Sequence, residues 1–209
     1  MLPAKYVITI GRTFGSGGRA LGRAIAEKLG IGFYDKQLLV EAAKKAGYNL
    51  EYIEKNDERA PSVVGNAFPF AFGFYPMSWI GNPSVSSEST YNAQCDLMHE
   101  LAASEPCVIV GRSADYVLRD LPDVVNIFVH APADECVRRI MDRGDVTRES
   151  DARAMAERIN KLRANFYNFY TDKRWGHAAS YDLCLNSAGI PIDELADFAI
   201  SFIRRRLEK

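Results

Sequence analysis

Apolar positions along this chain follow two alternating rhythms. Residues 6–10 (YVITI) make a short β-branched run bounded by Gly11, the pattern of a buried strand. From residue 20 to 29 the rhythm turns helical, with Leu21, Ala24, Ile25 and Leu29 on one face and Gly30 as the stop. Residues 33–35 predict a second, very short strand. Residues 36–46 predict a helix with Leu39, Ala42, Ala43 and Ala46 on one side, closed by Gly47. Further apolar runs at 107–110, 124–129 and 183–185 read as strands, separated by helices that include 136–143, 150–170 and 194–207. Strands that alternate with helices give an α/β fold, a parallel sheet covered on both faces.

The segment 49–89 breaks this rhythm. It holds Pro61, Pro69, Pro76 and Pro83, and its aromatics Phe68, Phe70, Phe72, Phe74, Tyr75 and Trp79 show no helical period. Connections this long are usually functional. Phenylalanine at every second position suits a strand, a homodimer contact or a flap over a ligand. The expected organisation is a single domain over 1–209, with 49–89 as an insertion and 144–175 as a polar loop plus the long helix. On that helix Met155, Ile159, Leu162, Phe166 and Tyr170 form an apolar stripe. Arg158 and Arg163 flank the stripe and Arg153 is expected to face solvent. Phe166, Tyr167, Phe169 and Tyr170 read as helix packing.

Composition narrows the choice of function. The 209 residues carry 26 Lys and Arg against 27 Asp and Glu, a net charge of −1 that excludes a protein built to coat nucleic acid. Cys95, Cys107, Cys136 and Cys184 form no C-x-x-C pair and read as buried thiols of a reducing compartment. His99, His130 and His177 share no metal spacing, and His99 falls in a helix of the core. The most apolar stretch, 67–80, is interrupted by Pro69, Gly73 and Pro76 and is too short to span a membrane, and the first residues lack a secretory pattern. The expectation is a cytoplasmic protein without membrane or nucleic-acid partners.

The chemistry is concentrated in Gly11-Arg-Thr-Phe-Gly-Ser-Gly-Gly-Arg19, placed between the first strand and the first helix. Successive glycines let backbone N–H groups approach phosphate oxygens, and the helix start adds the positive end of its dipole. Arg12 and Arg19 can neutralise phosphate charge. Gly15-x-Gly17-x-x-Ala20, with Asp35 ending the second strand, fits a dinucleotide loop, which would make the protein an NAD-binding oxidoreductase. The longer spacing after the strand, through Arg12, Thr13 and Phe14, favours a P-loop. That P-loop is a variant: Gly18 stands at the lysine position, Arg19 follows one residue late as its substitute, and Ala20 brings no hydroxyl for magnesium.

The opening ITIGRTFGSGGRALGRAIAEKLGIGFYDKQLL resembles that of the cytidylate kinase-like proteins, within the P-loop nucleoside monophosphate kinases. The stretches CVIVGRSADYVL, NFYNFYTDKRWG and YDLCLNSAGI resemble later parts of the same family. The resemblance implies a three-layer P-loop NTPase-type sheet with helices on both faces, a nucleotide-binding insertion and a helical lid. It also implies transfer of phosphate from ATP with Mg2+ to a small acceptor, best matched by a nucleoside monophosphate. On this reading Arg12, Gly15, Ser16, Gly17, Gly18, Arg19 and the lid's Arg148 hold the donor. Asp35, Arg112 and Arg158 serve the acceptor, and Arg19, Arg112 and Arg163 act in transfer.

Plainer roles stand beside these. Arg112 can pair with Asp115, Asp35 can cap the helix after it, and Arg158 can belong to a solvated face with pairs such as Glu157–Lys161. Two departures from the family pattern, Ser113 where Gly-Arg-Asp has its acid and Asn160 where the lid's Asp-x-x-Arg has its acid, join the missing lysine. They support an alternative from another class, a kinase-fold nucleotide sensor with little transfer activity.

Overall fold

The computed structural model describes residues 2–35 and 85–208. The helix expected at 36–46, the aromatic segment with its flap and dimer readings, and the insertion up to residue 84 lie outside the described residues.

Five strands form one parallel sheet: β1 (Val7–Arg12), β2 (Gly32–Tyr34), β3 (Cys107–Val110), β4 (Val124–His130) and β5 (Leu183–Asn186). The described helices are α1 (Gly18–Leu29), α2 (Val85–Ser104), α3 (Ala114–Val117), α4 (Ala133–Asp142), α5 (Glu149–Tyr170) and α6 (Ile192–Leu207). Residues 85–89 of the expected irregular insertion are therefore helical. None of the described helices is long and apolar enough to cross a membrane.

The strands are mostly apolar because helices cover both faces of the sheet. On one face Ile8, Ile10, Val108, Val110, Val125 and Ile127 pack with Leu21 and Ile25 of α1 and Ala196, Ala199 and Ile203 of α6. The alternate residues Val7, Cys107 and Ile109 meet Leu97 and Met98 of α2 and Leu118 after α3. His99 is exposed, so it points away from the core that its helix covers. A smaller cluster joins Phe14 of the glycine loop to Val137 and Ile140 of α4 and to Ala152 and Ala156 of α5. The buried side of α5 is thus Ala152, Ala156 and Tyr167. Phe169, expected to pack, is 66% exposed.

Strand order corrects one reading. The order is β2-β3-β1-β4-β5, with Ile10 opposite Val110 and Tyr34 opposite Ile109. In dinucleotide-binding sheets the second strand lies beside the first, which lets its terminal acid reach the ribose. Here β3 lies between them, putting β2 about 10 Å from β1. Asp35 is on the wrong side of a strand for that role, and the NAD reading falls.

Candidate active site

Glycines shape the loop after β1. Thr13 N–H donates to the Val129 carbonyl at 3.0 Å, so the chain leaves β1 still tied to β4. Gly15 and Gly17 then turn left-handed, with φ of 83° and 79°. A Cβ on Gly15 would lie 2.6 Å from the Cys136 carbonyl oxygen. Gly17 caps α1, whose first bond runs from Leu21 N–H to the Gly17 carbonyl at 2.9 Å. The helix therefore starts at Gly18, two residues before the apolar pattern does. Successive backbone N–H groups at the start of a 12-residue helix make a concave anion site.

The underside of the loop is clamped. Ser16 is fully buried and its hydroxyl donates to the Thr13 carbonyl at 2.9 Å. The Ser16 carbonyl accepts from Arg139 Nη1 at 2.9 Å and from the Ser187 hydroxyl at 2.6 Å. Arg139 also donates to the Ser187 carbonyl at 2.8 Å and pairs with Glu135 at 2.8 Å. One guanidinium thus joins α4, the glycine loop and the turn after β5. Arg139 escaped the sequence reading because its partners lie far away along the chain.

From above, α5 holds the same loop. Phe14 N–H donates to Asn160 Oδ1 at 2.7 Å, and Arg163 Nη1 donates to the Arg12 carbonyl at 3.0 Å. The guanidinium carbons of Arg143 and Arg163 stand 5.2 and 5.6 Å from the centre of the Phe14 ring. Asn160, set aside from sequence because it has no charge, serves here as a hydrogen-bond acceptor.

Arg12 and Arg112 come together at the carboxyl ends of neighbouring strands. The register Ile10 to Val110 sets the two arginines level, and the Arg12 guanidinium lies over Gly111, where a Cβ would collide with it. Burial, and then the Arg12 charge, push the Arg112 guanidinium down to about 10, so it stays cationic at neutral pH. Gly111, Arg112 and Ser113 are all left-handed, with φ of 83°, 62° and 52°. Two consecutive non-glycine residues in that region are strained by about 1–3 kcal/mol each, the kind of strain that gathers at functional sites. The hydroxyl of Ser113 is buried without a hydrogen-bond partner among the described residues. Asp115 is not paired with Arg112: it accepts from Tyr167 Oη at 2.6 Å and lies 4.0 Å from Lys173 Nζ.

The remaining arginines divide. Arg19 Nε meets Asp35 Oδ2 at 2.6 Å, with Arg19 54% exposed and Asp35 6%. Arg19, the expected substitute for the lysine, is thus held at the end of β2. Arg148 precedes α5, is largely exposed and pairs with Asp151 at 2.7 Å. Arg158 is exposed and makes no hydrogen bond or ion pair among the described residues. Arg153, expected to face solvent, is 41% exposed and bridges Asp134 at 2.8 Å and Glu149 at 3.0 Å. The four cysteines are free, and no group of three or more His, Cys, Asp or Glu among the described residues could hold a metal.

No curated protein matches the chain in sequence. By structure it is similar to an uncharacterized protein from Eubacterium ventriosum, at 27% identity over 95% of this chain and 98% of that one, with a TM-score of 0.71. It is similar to the shikimate kinase of Acinetobacter baumannii in complex with shikimate (13% identity, 100% and 97% covered, TM-score 0.55). A third is the APS kinase of Mycobacterium tuberculosis in complex with AMPPNP and APS (20% identity, 97% and 99% covered, TM-score 0.50). At these identities the two kinases establish the fold, that of P-loop kinases. The model of the cytidylate kinase-like family matches residues 7–189, and the chain belongs to that family.

Proposed function

We propose that the chain transfers the γ-phosphate of ATP, supplied with Mg2+, to a small acceptor, best matched by a nucleoside monophosphate. The observation that carries this reading is the left-handed, clamped glycine loop with Arg12 and Arg112 side by side at its edge. Family membership and the AMPPNP-bound neighbour support it. Phosphoryl transfer is mainly positioning and neutralisation of charge on the transferred group, and both parts have candidates here. The N–H groups from Gly15 to Arg19 hold the donor phosphates, with Arg148 reaching in from the start of α5. Magnesium would be carried by the nucleotide, since Ala20 offers no hydroxyl and no group of carboxylates among the described residues could hold it. Arg112, Arg158 and Asp35, the last held by Arg19, serve the acceptor, and Arg163 neutralises the transferring group. The single domain over 1–209, with 49–89 as an acceptor-side flap and 144–175 as the lid, belongs to the same reading.

Assaying ADP release across a panel of nucleoside monophosphates tests it. Turnover with at least one is expected; ATP binding without turnover on any overturns the transferase. That outcome would favour a nucleotide sensor on the kinase fold. Gly18 supports this second reading, since its backbone position leaves no room for the lysine of active P-loops.

A further inference from the structure

The cation missing at residue 18 has a replacement from an unexpected direction. A Cβ built on Gly18 would lie 2.6 Å from Arg12 Cβ, 3.2 Å from Arg12 Cγ and 3.2 Å from Val129 Cβ. These are atoms near the backbone, which cannot swing aside as the tip of a side chain can. The stem of Arg12 therefore fills the volume that a side chain at residue 18 would need. The other end of the same arginine lies over Gly111, where again a Cβ would collide with it. Two glycines on different elements are thus both cleared for one side chain.

Resting on the phosphotransferase reading above, we propose that Arg12 is this chain's substitute for the P-loop lysine, carrying its charge from the end of β1 to the donor's β- and γ-phosphates. Arg19, the obvious substitute by position, is engaged with Asp35 at the end of β2. Arg12 reaches across to Gly111 at the carboxyl ends of β1 and β3, where open α/β sheets place their ligands. Its carbonyl accepts from Arg163 at 3.0 Å, and its guanidinium stands between the loop after β1 and Arg112 after β3. The charges of Arg12 and Arg112 stand close enough to act on one another, so the pair presents two cations to one phosphate group. The fork of an arginine grips two phosphate oxygens where a lysine acts as a point charge, so the exchange keeps the charge and changes the geometry.

Because residues 12 and 18 compete for one volume, a swap tests the idea. Affinities of wild type, Arg12→Ala, Gly18→Lys and the double variant Arg12→Gly/Gly18→Lys, with glycine at 12 because a Cβ there would itself meet one on residue 18 at 2.6 Å, are measured by calorimetry for MgATP and for inorganic tripolyphosphate, with Tm recorded for each. Arg12→Ala is expected to weaken both ligands by about tenfold or more, the scale of one lost charge-assisted contact. Gly18→Lys alone is expected to lower Tm through its clash with Arg12. The double variant should recover both Tm and a substantial part of the affinity. Arg12→Ala binding within about twofold of wild type, or a folded double variant binding no better than Arg12→Ala, overturns the inference alone. Wild type that binds neither ligand overturns the phosphotransferase reading itself.

Discussion

The side-chain oxygen of Asn160 accepts the backbone N–H of Phe14 at 2.7 Å, fastening the long helix α5 to the phosphate loop at its first bend. One turn further along the helix, Arg163 donates to the carbonyl of Arg12 at 3.0 Å. Phe14 is itself buried among Val137, Ile140, Ala152 and Ala156. A polar bond on each side of an apolar anchor makes the loop and α5 one unit, so displacing the helix displaces the donor site.

Asn160→Ala leaves the Phe14 N–H without an acceptor, at a cost of about 1–3 kcal/mol. Thermal unfolding should show a Tm several degrees lower. Asn160→Asp keeps the oxygen in place and restores the acid of the family's lid pattern, so its Tm should stay near that of wild type. Equal losses in both variants would place the role of Asn160 in packing instead of acceptance.

Ser113 combines two costs, a left-handed backbone with φ of 52° and a buried hydroxyl without a partner among the described residues. Glycine removes both. Ser113→Gly should therefore stabilise the fold by about 1–2 kcal/mol, a rise in Tm of about 2–8 °C for a chain of this length. If the strain and hydroxyl are retained for ligand, the same variant binds the acceptor less tightly. A Tm that falls would show that the hydroxyl is satisfied in solution and the turn unstrained.

The strands were legible because helices bury both of their faces: the run 107–110 predicts β3 residue for residue. The glycine loop was equally legible, since four glycines between a strand and a helix constrain what can follow. Less legible was everything set by pairing between distant parts. Nothing local in the sequence marks Asn160 as the acceptor for Phe14, or Arg139 as the clamp on Ser16 and Ser187, 123 and 48 residues away. The left-handed turn at Arg112 and Ser113 had no signal because neither is glycine. Strand order also stayed open, because β2 beside β1 and β2 beyond β3 share one alternation of strands and helices. Only the crossover decides whether Asp35 stands near the loop.

Arg19 and Arg23 separate donor from acceptor effects. Arg19 is paired with a buried Asp35, while Arg23 stacks on the Phe33 ring at 4.7 Å from its exposed place on α1. Arg19→Ala removes this ion pair and should cost about 1–2 kcal/mol, reduced from the value of a charged hydrogen bond by Arg19's exposure. In kinetics its effect should fall on the acceptor's KM and leave ATP affinity within a few-fold of wild type. Arg23→Ala loses about 0.5–1 kcal/mol of cation–π contact and serves as the control. A tenfold loss of ATP affinity in Arg19→Ala would return this arginine to the donor side.

Asp115 supplies the pH-dependent test. Burial raises its carboxyl above the ordinary 3.8, and the Tyr167 hydroxyl and the Lys173 charge only partly oppose that shift. A carboxyl with a raised folded value holds its proton longer in the native state than in the unfolded chain. Its contribution to stability is therefore fully present below 3.8 and is lost as pH rises through the folded value. Asp115→Asn keeps an oxygen to accept from Tyr167 but cannot ionise. The Tm of wild type, measured against that of Asp115→Asn from pH 3 to 7, should fall relative to the variant as pH rises above about 4 and level off once the buried carboxyl has ionised. Burial also raises the Tyr167 hydroxyl and holds the Cys107 thiol up at about 12, so a second loss common to both proteins should begin above pH 9, outside the window. A wild-type curve parallel to that of Asp115→Asn throughout would mean that Lys173 closes on Asp115 in solution and cancels the cost of its burial.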